Sequence, residues 1–284
     1  MNVNINSVLK KEIKFTLPSL YTFRYKPYKL SIIDKKVLDK IRHTVNPILL
    51  TGYPKSGNTW VRFVIFNYFN ILNNNADITL TFKQLNKTQV HTLTDGFDKP
   101  FEEGYPIFYR CHDSYRRVFD FFDKIIYVWR NPLDTLISYY YYSKNRINPF
   151  QHFPIYRHKQ LQDINTFVKY TIDSWIYFHK NTVGRCNIVL KYEEMMKHPF
   201  NVFKDMFSDI GFDVDVDILK RSILLSDFRN IRKMEDVHGC AGFNGEKSRL
   251  TGSFVRSGKT NQYKYELKTE TIDKINKKIM GLMG

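Results

Sequence analysis

The chain has 284 residues, 43% of them apolar and 16% aromatic, a globular composition that excludes a disordered protein and suits one large α/β domain with a sizeable core. Basic residues exceed acidic ones by 44 − 28 = 16; they are scattered and accompany no RNA- or DNA-binding signature, so a small anionic ligand is favoured over nucleic acid. No apolar run can span a bilayer, Met1–Lys14 lacks the order of a signal peptide, and Cys111, Cys186 and Cys240 form no C-x-x-C pair; the expectation is a cytoplasmic protein with free thiols, no disulfide framework and no zinc site.

Residues Met1–Tyr28 are polar, aromatic and irregular, and Ser31–His43 carries helical spacing of Ile32, Ile33, Val37, Leu38 and Ile41. The apolar run Pro47–Leu50 predicts a buried strand, followed by a glycine-bounded turn and a helix from Trp60 to Leu72. Asp77–Leu85 reads as a short helix under a cleft, and Thr88–Glu103 as a loop. Strands are expected over Pro106–Cys111, Lys124–Trp129 and Asn187–Tyr192, with a helix over Ser114–Phe122 between the first two. Pro132 suits the first turn of a helix reaching Lys144, and Asp163 can cap a long amphipathic helix to Asn181. Between them, Asn145–Lys159 is basic and aromatic and reads as a substrate-side loop. Further helices are predicted over Pro199–Ile210, Asp215–Leu225, Phe228–Val237 and Lys268–Met283, with a lid-like loop over His238–Ser257. Strands alternating with helices predict a mostly parallel central sheet flanked by helices, in a single domain over residues 1–284.

The chemistry centres on Gly52-Tyr53-Pro54-Lys55-Ser56-Gly57-Asn58-Thr59-Trp60. A strand, a glycine-rich turn and a helix N-terminus make an anion cradle, because backbone N–H groups and the helix dipole point at whatever sits there. Gly52, Gly57 and Thr59 keep the spacing of a P-loop, G-x-x-x-x-G-K-[ST], but Asn58 stands where the nucleoside-triphosphate lysine belongs, and a lysine occurs earlier, at Lys55. A lysine inside the turn sits beside the α/β position. The ligand read from this is phosphorylated at its 5′ end, with its reacting group where a β-phosphate would be.

The string Tyr53–Trp60 resembles the 5′-phosphosulfate loop, YPKSGTTW, of the PAPS-dependent sulfotransferases (PAPS, 3′-phosphoadenosine 5′-phosphosulfate). Ile125–Tyr140 is similar to that family's 3′-phosphate segment, a strand followed by RNPxDxxxSYY. The resemblance covers about residues 47–265 and implies that Arg130 and Ser138 bind the 3′-phosphate. Asn187–Met195 resembles the family's strand ending in YEDM and places Tyr192 near the adenine. Ser226-Asp227-Phe228 resembles [ST]-S-F-x-x-M, with Ile231 for the methionine. It implies that Ser226 binds the 3′-phosphate or base and that Phe228 stacks on the purine opposite Trp60. Val255–Tyr263 is similar to R-K-G-x-x-G-x-W and puts Arg256, Ser257 and Gly258 at the 3′-phosphate, with Ser257 in place of the lysine. Arg110-Cys111-His112 resembles K-T-H, whose histidine takes the acceptor's proton, so His112 is the expected base, Arg110 its sulfuryl-side neighbour and Lys55 the cation for the leaving phosphate oxygen.

By this resemblance the cofactor-binding set is Lys55, Ser56, Gly57, Asn58, Thr59, Trp60, Arg130, Ser138, Tyr192, Ser226, Phe228, Arg256, Ser257 and Gly258, with no metal. The donor is PAPS, the product PAP, and the acceptor a small organic alcohol or amine. His91, His152 and His238 are rival bases in predicted cleft loops. Rival functions are a small-metabolite P-loop kinase and a basic nucleic-acid-binding module. Monomer and homodimer both stay open: Lys264–Asp273 only partly matches K-x-x-x-T-V-x-x-x-E, the dimerisation segment of animal relatives.

Overall fold

The computed structural model describes residues 46–73, 79–88, 90–91, 104–240 and 251–283, together with helical positions 35, 38, 39 and 41. The N-terminal segment, most of the expected Ser31–His43 helix and residues 241–250 of the expected lid lie outside the described residues.

Five parallel strands among the described residues form one sheet: β1 (Ile48–Thr51), β2 (Val90–His91), β3 (Phe108–Cys111), β4 (Lys124–Trp129) and β5 (Ile188–Lys191). Their order is β2-β3-β1-β4-β5. In register, Leu50 of β1 lies beside Arg110 of β3 and Ile126 of β4. The chain thus adds strands first on one side of β1 and then on the other, so the carboxyl end of β1 is the switch point at which open parallel sheets bind ligands.

The helices follow from the apolar spacing and from their caps: α1 (Asn58–Leu72), α2 (Phe82–Thr88), α3 (Pro132–Lys144), α4 (Ile164–Thr182), α5 (Tyr192–Lys197), α6 (Pro199–Asp209), α7 (Val216–Leu225), α8 (Phe228–His238), α9 (Tyr263–Glu266) and α10 (Thr269–Met283). Asn131 accepts from the N–H groups of Leu133 and Asp134 and precedes Pro132, which starts α3 where the sequence places it. Asp163 accepts from the Thr166 N–H and opens α4; Asp215 and Asp227 cap α7 and α8.

Alternation along β1 separates the two sides of the sheet. Ile48 and Leu50 pack with α1, α2, α6 and α7, while Leu49 joins Tyr109, Val118, Phe119 and Ile125 on the other face. Tyr127 enters a second helical layer of α3, α4 and α10 with Phe167, Trp175 and Phe178. The product is a helix–sheet–helix sandwich.

Three local expectations are corrected. The helix expected over Ser114–Phe122 is a single 3₁₀ stretch, Arg117–Phe121, because the N–H of Tyr115 donates to the Thr182 hydroxyl and Arg116 is extended. The strand expected to run to Tyr192 stops at Lys191, and Tyr192 starts α5, whose Glu193 accepts from the Asn131 N–H at 2.9 Å. Within the expected loop Thr88–Glu103, Val90–His91 pairs with β3 as the sheet's edge.

Candidate active site

The turn after β1 is where the sequence places an anion cradle. The Ser56 N–H closes it onto the Tyr53 carbonyl, and Lys55 and Gly57 both take left-handed backbone angles, φ 73° and 110°. Only glycine fits at position 57: a Cβ there would lie 2.6 Å from the Tyr192 ring. Helix α1 then starts with neither a side-chain cap nor an acidic residue in its first turn, so its N-terminal dipole is left for a ligand. Ser56 and Asn58 are buried, and Thr59 and Trp60 are half-buried behind the turn.

Around this turn the expected nucleotide residues form one connected group. The Arg130 guanidinium leaves the end of β4, stacks on Tyr192 at 4.3 Å, and donates to the carbonyls of Lys55 (3.4 Å) and Lys259 (2.8 Å). The Tyr192 hydroxyl donates to the Gly258 carbonyl at 3.2 Å, and Trp60 meets the Tyr192 ring edge-on at 5.8 Å. Gly258, at φ 62°, lies so close to Phe228 that a Cβ would stand 2.6 Å from that ring. Arg256 rests on Tyr141 at 4.2 Å, pairs with Glu266 at 3.4 Å and donates to Gln262, whose Oε1 also accepts from the Ser257 hydroxyl. Ser138 is half-buried on α3, one turn beyond Asp134 and three residues before Tyr141. Ser226 is fully buried, accepts from Asn67 at 2.9 Å and donates to the Ser222 carbonyl at 2.6 Å.

His112 follows β3 directly, and its Nδ1 lies 2.8 Å from the Gly52 carbonyl, at the entrance of the anion turn. A carbonyl only accepts, so Nδ1 carries the proton and the neutral ring presents an unprotonated Nε2. Burial pulls the imidazole pKa down to about 4, with Arg110, Arg62 and Lys55 adding to the fall and the Gly52 bond opposing it. Arg110 lies two residues earlier, in β3, near enough for its charge to act on the imidazole. Lys55 turns its ammonium onto the rings of Phe254 (3.7 Å) and Tyr142 (4.9 Å). Its burial lowers that pKa to about 8, with Arg130 and Arg256 lowering it further and Cys240 and Glu235 opposing. Of the rival histidines, His238 is exposed at the end of α8, His152 is half-buried beside Gln151, and His91 lies in β2.

Several contributors carried no sequence signal. Arg62, buried on α1, donates to the Leu85 carbonyl and to Asn86 Oδ1 at 2.9 Å, tying α1 to α2 close to Arg110. Phe254 and Tyr142 flank Lys55, with Phe82 packed on Phe254 at 5.6 Å. Asp134 and Glu235 are buried carboxylates that accept backbone N–H groups from the segment carrying Arg256. Only Asp134 belonged to a recognisable string, and nothing there marks its partners.

The family model for the sulfotransferase domain matches residues 46–284. A flavonol 3-sulfotransferase of Flaveria bidentis is 22% identical over 263 residues, covering 84% of this chain and 82% of that protein. An amine sulfotransferase of Oryctolagus cuniculus is 22% identical over 274 residues, covering 91% and 88%. Among solved structures, a mouse sulfotransferase complexed with PAP superposes with a TM-score of 0.60 at 19% identity, covering 88% of each chain. Retinol dehydratase in complex with androsterone and inactive cofactor PAP superposes with a TM-score of 0.63 at 15% identity, covering 99% and 94%. These two likenesses bear on the fold, whereas the domain match spans the sheet, the anion turn and every member of the group just described. The chain belongs to the sulfotransferase family.

Proposed function

We propose that this sulfotransferase uses PAPS as donor and moves its sulfuryl group to a hydroxyl or amine of a small organic acceptor. The observation that carries the reading is the 2.8 Å bond from His112 Nδ1 to the Gly52 carbonyl, which ties a base to the mouth of the anion turn. The residues present fit a nucleotide bearing phosphate at both ends. Three cations (Lys55, Arg130 and Arg256) converge with two glycines that no larger residue could replace, and with the rings of Trp60, Tyr192 and Phe228. PAPS names such a molecule, and PAP is the product named in two of the structural relatives.

In the mechanism, the donor supplies an activated sulfuryl group joined to a 5′-phosphate. The turn N–H groups and the α1 dipole would hold that phosphate, and Lys55 would neutralise the oxygen from which the sulfuryl departs. His112 accepts the acceptor's proton at Nε2, while its bond to Gly52 fixes the ring's tautomer and aim. Arg110, in β3, supplies positive charge on the sulfuryl side. Arg130, Ser138, Arg256 and Ser257 would hold the 3′-phosphate, with Gly258 allowing close backbone approach. Ser226 contributes by keeping α7 against α1 through Asn67, since its one O–H proton is already given to the Ser222 carbonyl. The acceptor is read as a small organic molecule: two of the relatives are named for a flavonol and an amine, and the rings of Tyr142 and Phe254, with Phe82 on Phe254, lie against Lys55.

The test is turnover of His112→Ala with PAPS and a panel of phenols and amines. Turnover should fall at least about a hundredfold, the usual contribution of a positioned proton acceptor, while PAP affinity stays within about threefold. Near-wild-type turnover would remove His112 from its role.

A further inference from the structure

The segment 254–263 carries Arg256, Ser257 and Gly258 yet contains little secondary structure of its own before α9. Two buried carboxylates on different helices grip it. Glu235 of α8, 7% exposed, accepts from the N–H of Phe254 through Oε1 at 2.5 Å and from the N–H of Val255 through Oε2 at 2.9 Å. Arg232, one turn earlier on α8, donates to the Val255 carbonyl at 2.9 Å, so both sides of that residue are held. Asp134 of α3, 1% exposed, takes the other end: Oδ2 accepts from Asn261 N–H at 2.6 Å and Oδ1 from Tyr263 N–H at 3.2 Å. Asn261 itself is left-handed, φ 60°, a conformation that asparagine accepts more readily than other non-glycine residues.

Between these two grips lie the residues that meet the nucleotide side of the pocket. Arg130 donates to the Lys259 carbonyl and Tyr192 to the Gly258 carbonyl. At the Glu235 end, Phe254 lies against the Lys55 ammonium. We propose that Asp134 and Glu235 are positioning residues for nucleotide selection, two carboxylates that stretch segment 254–263 across the pocket and so set its discrimination for a 3′-phosphate. The proposal rests on the reading of this pocket as one for PAP and PAPS. It places negative charge beside an anion site for a geometric reason. Each carboxylate has two oxygens for two N–H donors, a demand that an amide of the same shape meets only once.

The sign of the effect separates positioning from plain electrostatics. Removing a negative charge near a phosphate tightens binding if charge alone matters, whereas loss of the grip weakens it. The experiment is calorimetry of wild type, Glu235→Gln and Asp134→Asn with PAP and with adenosine 5′-phosphate, which lacks the 3′-phosphate. In each variant PAP affinity should drop about tenfold, the size expected from one lost charge-assisted backbone bond. Affinity for adenosine 5′-phosphate should change less than about twofold. An unchanged or increased PAP preference in either folded variant overturns the proposal. Hydrogen exchange on the wild-type protein supplies an independent readout that needs no variant to fold. The amides of Phe254, Val255, Asn261 and Tyr263 should be protected without ligand, and free exchange at these four would equally overturn it. A wild type that binds PAP no better than adenosine 5′-phosphate would instead sink the functional reading on which the proposal stands.

Discussion

At the scale of single residues, two ionisable groups are held away from their ordinary ranges by the same burial. His112 is brought from 6.5 to about 4 and Lys55 from 10.5 to about 8. A reaction needing neutral His112 and charged Lys55 therefore has its free-enzyme optimum between those values. The pH profile of kcat/KM should fall off on the acid side near pH 4 and on the alkaline side near pH 8. An acid limb at the histidine's ordinary 6.5 would show that burial does not hold the imidazole neutral in the free enzyme. His112 acts on folding in the same direction. Between about pH 4 and 6.5 the unfolded chain binds the His112 proton that the folded chain refuses, so its contribution to stability is present above 6.5 and is lost as pH falls through that window. Gly57→Ala adds a Cβ both to a left-handed residue and against Tyr192. Strain of about 1–2 kcal/mol from the backbone alone should weaken PAP binding roughly tenfold or more, measured by calorimetry; unchanged binding would show that the turn does not hold the ligand.

Among elements, those with strong local chemistry were legible beforehand. The strand Lys124–Trp129 is apolar from Ile125 to Trp129 and ended by Arg130-Asn131-Pro132, and α3 begins at that proline as its fixed φ favours. Helix α4 is announced by Asp163, whose side chain takes the Thr166 N–H at 2.7 Å. Asp163→Ala should therefore cost about 1 kcal/mol of stability, the ordinary worth of an N-cap, read in urea denaturation, and no loss would mean that packing alone fixes this end. Elements made by distant partners were not legible. Strand β2 is two residues long and too short to show a period; it exists because β3 offers an edge. The helix expected from Ser114 is delayed by the Tyr115–Thr182 bond across the fold. The anchoring of segment 254–263 by Glu235 and Asp134 spans 19 or more residues in each case and leaves no pattern in the sequence. Ser226 shows the converse: its motif was visible, but only packing reveals that its O–H proton is given to the Ser222 carbonyl.

At the scale of the whole molecule, the parallel order β2-β3-β1-β4-β5 explains why one site gathers residues from across the chain. β1 delivers the anion turn, β3 delivers His112, β4 delivers Arg130, and β5 leads into Tyr192, all at carboxyl ends of adjacent strands. Motifs separated by many residues in sequence meet at this sheet edge through that order: the strings Tyr53–Trp60 and Ile125–Tyr140 were strong signals, and the shorter ones gained weight beside them. Among the described residues, no helix is long and apolar enough to cross a membrane. The excess of positive charge, 16 over the whole chain, has a local focus in Lys55, Arg62, Arg110, Arg130 and Arg256 around the pocket. A small nucleotide bearing two phosphates should thus compete with any nucleic acid that the protein binds, and its affinity should depend on its 3′-phosphate. Calorimetry with PAP, adenosine 5′-phosphate and ATP, without added metal, tests this most directly. The predicted result is one PAP per chain, bound at least about tenfold more tightly than either of the others. Equal affinity for all three, or preference for ATP, would contradict a pocket built for a 3′-phosphorylated sulfuryl donor.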